Sequence, residues 1–401
     1  MRKKTVLTPE LLPLVIGQFI SSWGEWIFDF FILIYVYDKT TSPMMVALLT
    51  IVQVAPNVAL SPAAGIYVDR HERTRILFLT DLIRGAAILG ILFFDNIAVI
   101  FWLILLKSTV SVFFDPARIS YITEASDEAS LLTTNSAFSF IYTSTMALGP
   151  LTAGFLYGRF RMEWLVLFVA LTYFISAATS LKLPKAVKEN QNEFPDARPS
   201  FISELKNGLS YLGRDRRIQR VFLVSAGLIF AIGVFNIVEM IYCQSVLNLT
   251  DEQIGFLYSC DGVGLALGAW LIGMNRIRLK NTLLFGGILL AINFFALAVF
   301  RNYIVVIIGN LAGGIGNTFI LTGSQTLVQL FSPKEDIGKI ISLRYTVHGL
   351  FSLIASFLGG IALSRVGSVP LLIFLGILAA GISLLSVGMD GAGRDAVAAD
   401  F

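Results

Sequence analysis

The sequence predicts an all-α polytopic membrane protein whose twelve transmembrane helices form two six-helix halves. Three observations predict it. First, 56% of the 401 residues are hydrophobic and only 14% are charged, with a mean hydropathy of +0.76, whereas soluble domains run near a quarter charged. Second, apolar stretches of about twenty residues, the length that crosses a bilayer, recur along the chain. Third, one long polar stretch, Pro184 to Arg217, divides those stretches into six and six. No polar segment is long enough to fold as a catalytic domain. The composition also excludes disorder and a disulfide scaffold, and the runs are continuous where an outer-membrane barrel would alternate.

The first run, Leu11 to Tyr37, follows Met1-Arg2-Lys3-Lys4. It is too long for the apolar region of a signal peptide and has no small-residue cleavage site, so it reads as an uncleaved first span. Spans two to six are expected at 44–68, 75–94, 97–117, 133–158 and 163–183. The second set is expected at 218–245, 253–274, 281–300, 303–330, 338–364 and 368–388. The chain is therefore divided into an N-terminal half (1–183), a central linker (184–217), a C-terminal half (218–388) and a tail (389–401). The linker carries a short amphipathic segment from Phe201 to Leu212. Cys243 and Cys260 lie within apolar runs and read as free thiols.

Net charge is only +3, so the position of the charges carries the information. With the N-terminus inside, 24 of the 30 basic residues fall on the inner side, while Lys39, Arg159, Arg161, Arg301 and Arg365 fall outside and Lys107 lies within a span. This asymmetry predicts a multi-pass protein of the cell membrane with both termini, the linker and the tail cytoplasmic. It also accounts for the basic loops without a nucleic-acid partner. The halves resemble one another weakly: Leu148-Gly149-Pro150 through Gly154 is mirrored by Leu358-Gly359-Gly360, and Asp127-Glu128 by Glu335-Asp336. Such repeats are a recurrent transporter plan.

Ionisable residues inside spans are costly, about 3 kcal/mol each at the bilayer centre on insertion scales, and usually face a cavity that serves function. Span one places Gln18, Ser22, Glu25 and Asp29 on one stripe, and span four places Lys107, Ser111, Asp115 and Arg118 on another. A Glu25–Lys107 or Asp29–Lys107 pair is the expected proton-coupling and substrate site; a static ion pair that fixes packing is the plainer alternative. In the second half Asn236, Glu239 and Cys243 share a stripe, Asp261 lies in span eight, and Arg344 and His348 share a face of span eleven. Glu239, Asp261 and His348 are further candidates for carrying a proton. Thr318, Thr322, Gln325 and Gln329 form an uncharged stripe on span ten. The glycines of Gly262-Val-Gly264-Leu-Ala-Leu-Gly268 sit in an apolar span with no preceding strand, so they predict close helix packing and no nucleotide loop.

The loop after span two reads Gly65-Ile-Tyr-Val-Asp69-Arg70-His71-Glu72-Arg73-Thr74-Arg75. It resembles the cytoplasmic loop signature of the major facilitator superfamily. Further matches are Asp81-Leu-Ile-Arg84, Phe113-Phe114-Asp115-Pro116-Ala117-Arg118, Asn135-Ser136-Ala137, the Arg198-to-Arg220 stretch, and Gln329 ahead of Ser332-Pro333. Together they resemble the drug- and siderophore-exporter branch, which includes macrolide and multidrug efflux proteins. The resemblance implies the major facilitator fold, alternating access and proton-driven export. It makes Gly149, Pro150 and Gly154 similar to an antiporter motif of span five, although a fuller version carries more glycines. It also makes Asp69 an inner latch meeting span eleven near Gly338, with Gly65, Arg70, Arg73, Arg118 and Arg344 in the gating set. The second-half loop, Gly273-Met-Asn-Arg276-Ile-Arg278, lacks the aspartate.

The expected function is secondary active export of an amphiphilic compound, cationic in the leading form, by proton antiport, conferring multidrug resistance. Export of an endogenous metabolite such as a siderophore, and lysolipid flipping, are the alternatives. The expected partners are the substrate, protons and the lipid bilayer, with the chain acting as a monomer. No cofactor, metal or enzymatic activity is expected, because the spans carry no His-rich metal spacing and no nucleophile motif.

Overall fold

The structure is a computed structural model, and it describes residues 11–125, 128–157, 159–184, 215–274, 278–332 and 337–387. Thirteen α-helices lie among them: α1 Leu12–Thr40, α2 Pro43–Arg70, α3 Arg73–Gly90, α4 Ile97–Ser111, α5 Phe114–Ala125, α6 Glu128–Tyr157, α7 Met162–Ser180, α8 Arg216–Ser245, α9 Asp251–Gly273, α10 Thr282–Val299, α11 Tyr303–Phe331, α12 Ile337–Val366 and α13 Ser368–Leu384. There is no strand among the described residues. Among the described residues ten helical segments are long and apolar enough to cross a membrane, and Ser368–Leu384 is a shorter apolar one. The amphipathic segment expected at Phe201 to Leu212 and the tail at 389–401 lie outside the described residues.

The expected fourth span is two helices, α4 and α5, separated at Val112 and Phe113. Pro116 supplies the physical reason. A proline clashes with the carbonyl four residues earlier and donates no backbone bond there, but it is tolerated in a first helical turn. The break therefore falls at Val112, and Pro116 sits in the first turn of α5. Several helix starts are fixed by side-chain caps: Asn96 accepts from the Ala98 amide at 2.9 Å, Asn302 from Ile304 at 2.8 Å, and Asp215 from Arg217 at 2.7 Å. Partial burial pushes the Asp215 carboxyl up, but the bonds from Arg217 outweigh that and hold it below the usual carboxylate range.

The chain forms two compact units. Unit 1 comprises residues 1–41, 49–196 and 250–259, and unit 2 comprises 42–48, 197–249 and 260–401. In unit 1, α1 packs on α6 and α7, while α3 packs on α4, α5 and α7. In unit 2, α8 packs on α12 and α13, while α10 packs on α11 and α13. The main pairings are the same in both units once α8 is set against α1 and α10 against α3, but α8 also packs on α11 without an equally close α1–α4 pairing in unit 1. Small residues bring these helices close. A Cβ at Gly149 on α6 would collide with the Trp26 side chain of α1, and one at Gly233 on α8 would lie 2.8 Å from Ala355 Cβ on α12. Gly264 and Gly268 of α9 lie against α11 at Gly314, Ile315 and Thr318.

Candidate functional site

Glu25 and Asp29 lie one turn apart near the middle of α1, so they project from one face. Lys107 lies in the last turns of α4 and is 4% exposed. The packing of unit 1 brings it to both acids: Nζ donates to Glu25 Oε1 at 2.9 Å and to Asp29 Oδ1 at 3.3 Å. Its ammonium also lies 5.4 Å from the ring centre of Phe28, which packs edge-on to Phe31. Both expected pairs are thus in contact. Gln53 of α2 donates to the same Asp29 Oδ1 at 3.1 Å. Farther along the stripe, Gln18 donates to Ser22 at 2.6 Å.

A second cation, absent from the expected site set, joins the cluster. Arg84 of α3 donates from Nη2 to Glu25 Oε2 at 2.8 Å and from Nη1 to Asp81 Oδ1 at 3.0 Å. Asp81 is fully buried and also accepts from Ser176 of α7 at 2.6 Å. The guanidinium lies 4.5 Å from the ring centre of Tyr173 and 5.1 Å from that of Phe114. Asp81 and Arg84 stand three residues apart in an apolar helix, and that spacing was the available signal. Their connection to Glu25 depends on α3 packing against α7, which spacing along one helix does not reveal.

In unit 2, Glu239 on α8 is 5% exposed. The Asn310 side chain on α11 hydrogen-bonds its carboxyl, Asp261 on α9 acts on it electrostatically, and Oε1 has no partner. His348 Nε2 lies 3.0 Å from Ser225 Oγ. Arg344 is 2% exposed and donates to Ser324 Oγ at 3.1 Å and Gln325 Oε1 at 3.2 Å, beneath the Tyr345 ring. No ion pair joins Glu239, Asp261, Arg344 or His348 among the described residues.

The loop residues separate into distinct environments. Gly65 has open space around it, Arg70 is exposed, and the side chain of Asp69 lies outside the described residues. Arg73 is buried and pairs with Glu124 of α5 at 3.0 Å, while Arg118 pairs with Asp115 in its own helix at 2.9 Å. Gly149 meets Trp26, Pro150 sits inside α6, and Gly154 packs within unit 1 against Gly255, whose Cα a Cβ there would approach to 3.0 Å.

The family model described as "Major Facilitator Superfamily" matches residues 14–273 and 221–390. The chain belongs to this superfamily. It is 23% identical over 386 residues to the MFS-type transporter YfiS of Bacillus subtilis, covering 94% of this chain and 91% of that one. It is also 23% identical over 367 residues to macrolide efflux protein A of Streptococcus pyogenes, covering 88% of each. Among solved structures, the nucleoside transporter NupG matches with a TM-score of 0.81 at 12% identity, covering 95% of this chain and all of that one. The chain is a multi-pass membrane transporter of small molecules and not an enzyme.

Proposed function

We propose that the protein exports an amphiphilic compound, cationic in the leading form, in exchange for protons by alternating access. Glu25, Asp29 and Lys107 form the coupling and substrate site of the first half, and Glu239, Asp261 and His348 are the proton-carrying candidates of the second half. Gly65, Asp69, Arg70, Arg73, Arg118 and Arg344 belong to the inner gate, Gly149, Pro150 and Gly154 set the packing of the antiporter-like helix, and both termini are cytoplasmic at the cell membrane. The observation that carries this reading is the contact of Lys107 with two carboxylates of α1 at mid-helix. A buried ion pair is a poor source of net stability, so its placement in a transporter is better explained by an exchangeable charge. Similarity to a macrolide efflux protein supports outward movement of a drug-like compound.

The test is purified protein in liposomes carrying an imposed pH gradient, with ethidium and erythromycin as probes. The wild type accumulates a probe against its gradient and loses it when nigericin collapses the pH difference. The double variant Glu25→Gln/Asp29→Asn equilibrates the probe without concentrating it. Gradient-driven movement that is equal in both proteins rejects the assignment.

A second reading, export of an anionic endogenous metabolite such as a siderophore, draws on Arg344, a buried cation with no acidic partner among the described residues. Secretion under iron limitation, lost in an Arg344→Gln strain with unchanged drug susceptibility, favours that reading over the first.

A further inference from the structure

Five ionisable side chains of unit 1 meet in one network, and their formal charges do not cancel. Glu25, Asp29 and Asp81 bring three carboxylates, whereas Arg84 and Lys107 bring two cations. The other polar groups facing the network are amides and hydroxyls: Gln53 on α2, Tyr142 on α6, and Tyr173 and Ser176 on α7. Lys107, Arg84 and Asp81 are buried while Glu25 and Asp29 are about one-third exposed, so the unmatched negative charge lies where an ion can reach it. One further positive charge therefore completes the set.

The ties within the network show where that charge goes. Arg84 is 3% exposed, forks onto Asp81 and Glu25, and stacks on Tyr173. Its planar guanidinium presents its donors in a rigid fork and holds the two carboxylates in one geometry, whereas a lysine ammonium is a compact point charge on a flexible stem. Glu25 has one cation on each oxygen, Arg84 on Oε2 and Lys107 on Oε1. Asp29 is held differently. Its one cation, Lys107, stands farther off at 3.3 Å, and both Lys107 and Gln53 bind Oδ1. Oδ2 accepts no bond among the described residues, and the side chain is 36% exposed.

We infer that the network is a fixed clamp with one open position. Arg84 is a positioning residue that keeps Glu25 as a permanent ligand of Lys107, and Asp29 Oδ2 takes a single transferable positive charge bearing a hydrogen-bond donor. That charge is a proton or the ammonium group of an organic cation. The inference rests on the exchange reading above and divides between two acids a role which that reading gives to both. Loading is an acid–base step. A hydronium ion gives its proton to Oδ2, forming the O–H bond and leaving water. An arriving ammonium group returns that proton to water and takes its place beside the carboxylate.

The test is infrared difference spectroscopy on the full chain in detergent, following the carboxylic C=O stretch as the buffer is changed from alkaline to acidic. Glu239 and Asp261 contribute the same background to every variant. The wild type gains an acid band that Asp29→Asn lacks, that Asp29→Glu keeps at a shifted frequency, and that the charge-conserving Glu25→Asp leaves at its wild-type frequency. Arg84→Met gains a second band, which disappears in Arg84→Met/Asp81→Asn; a merely structural role for Arg84 would not produce it. Addition of benzylamine at acidic pH bleaches the Asp29 band if organic ammonium shares the position, and an unbleached band assigns the position to the proton. A band whose frequency moves in Glu25→Asp but not in Asp29→Glu, or identical spectra for all variants, overturns the inference. Wild-type liposomes that ignore a pH gradient would remove the exchange reading while leaving this assignment intact, so the two failures are distinguishable.

Discussion

The two units share one packing pattern but handle buried charge in opposite ways. In unit 1 the carboxylates of α1 and α3 are neutralised, all but one, by cations from α3 and α4. In unit 2 the buried acid Glu239 has an amide for a partner, and the buried base Arg344 has a hydroxyl and an amide. The same helix arrangement therefore supports a joined ion network in one unit and, among the described residues, separate charges without counter-ions in the other. Packing is evidently a property of the repeat, while charge placement is a property of each half.

The largest effect expected from this contrast is at Arg84. Arg84→Met leaves Asp81 without a cation and Glu25 with only one, and should lower stability by about 3–5 kcal/mol, the usual cost of breaking a buried pair. Thermal unfolding in detergent measures it. If the loss is below about 1 kcal/mol, a value ordinary for exposed pairs, the joined-network picture of unit 1 is broken.

Packing should not distinguish the units. Gly149→Val in unit 1 and Gly233→Val in unit 2 each force a side chain into occupied space, at an expected cost of about 1–3 kcal/mol apiece. Unequal losses in the same unfolding assay would show that the shared pattern hides different tolerances.

A smaller effect sharpens the description of unit 2. Asp215→Ala removes a helix cap and should cost about 1 kcal/mol at neutral pH. The carboxyl is held below its usual range in the folded protein, so this contribution is full above the unfolded value and fades as pH falls through the folded one. The difference between wild type and variant should therefore shrink in acid, and a difference that is flat with pH contradicts the capping role.

The smallest change is expected at Arg344. Arg344→Gln removes a cation that no acid neutralises among the described residues, and the loss of its hydrogen bonds is offset by relief of the burial cost. Its unfolding midpoint should match or slightly exceed that of the wild type. A loss as large as that of Arg84→Met would erase the contrast between the units.

Much of this was legible in the sequence. Apolar runs place the helix ends within a few residues because a bilayer demands about twenty of them in a row. The stripe of Glu25 and Asp29 and the lone lysine at 107 were visible as charges in apolar helices. The link of Arg84 to Glu25 was not, because Arg84 reads as half of an Asp81–Arg84 pair within one helix and the link depends on how α3 leans on α7. The Arg344–Gln325 bond was hidden for the same reason, with its partners on different helices. The break after α4 was written in Pro116, but the continuous hydropathy of the run masked it.

The most direct measurement is proton exchange on substrate binding, read in weakly buffered detergent solution with a pH-sensitive dye as ethidium is added to the purified protein. The account predicts that the wild type releases protons in proportion to ethidium bound, and that Glu25→Gln/Asp29→Asn releases none. Equal release from both proteins, or ethidium binding to the wild type without any proton release, would contradict it.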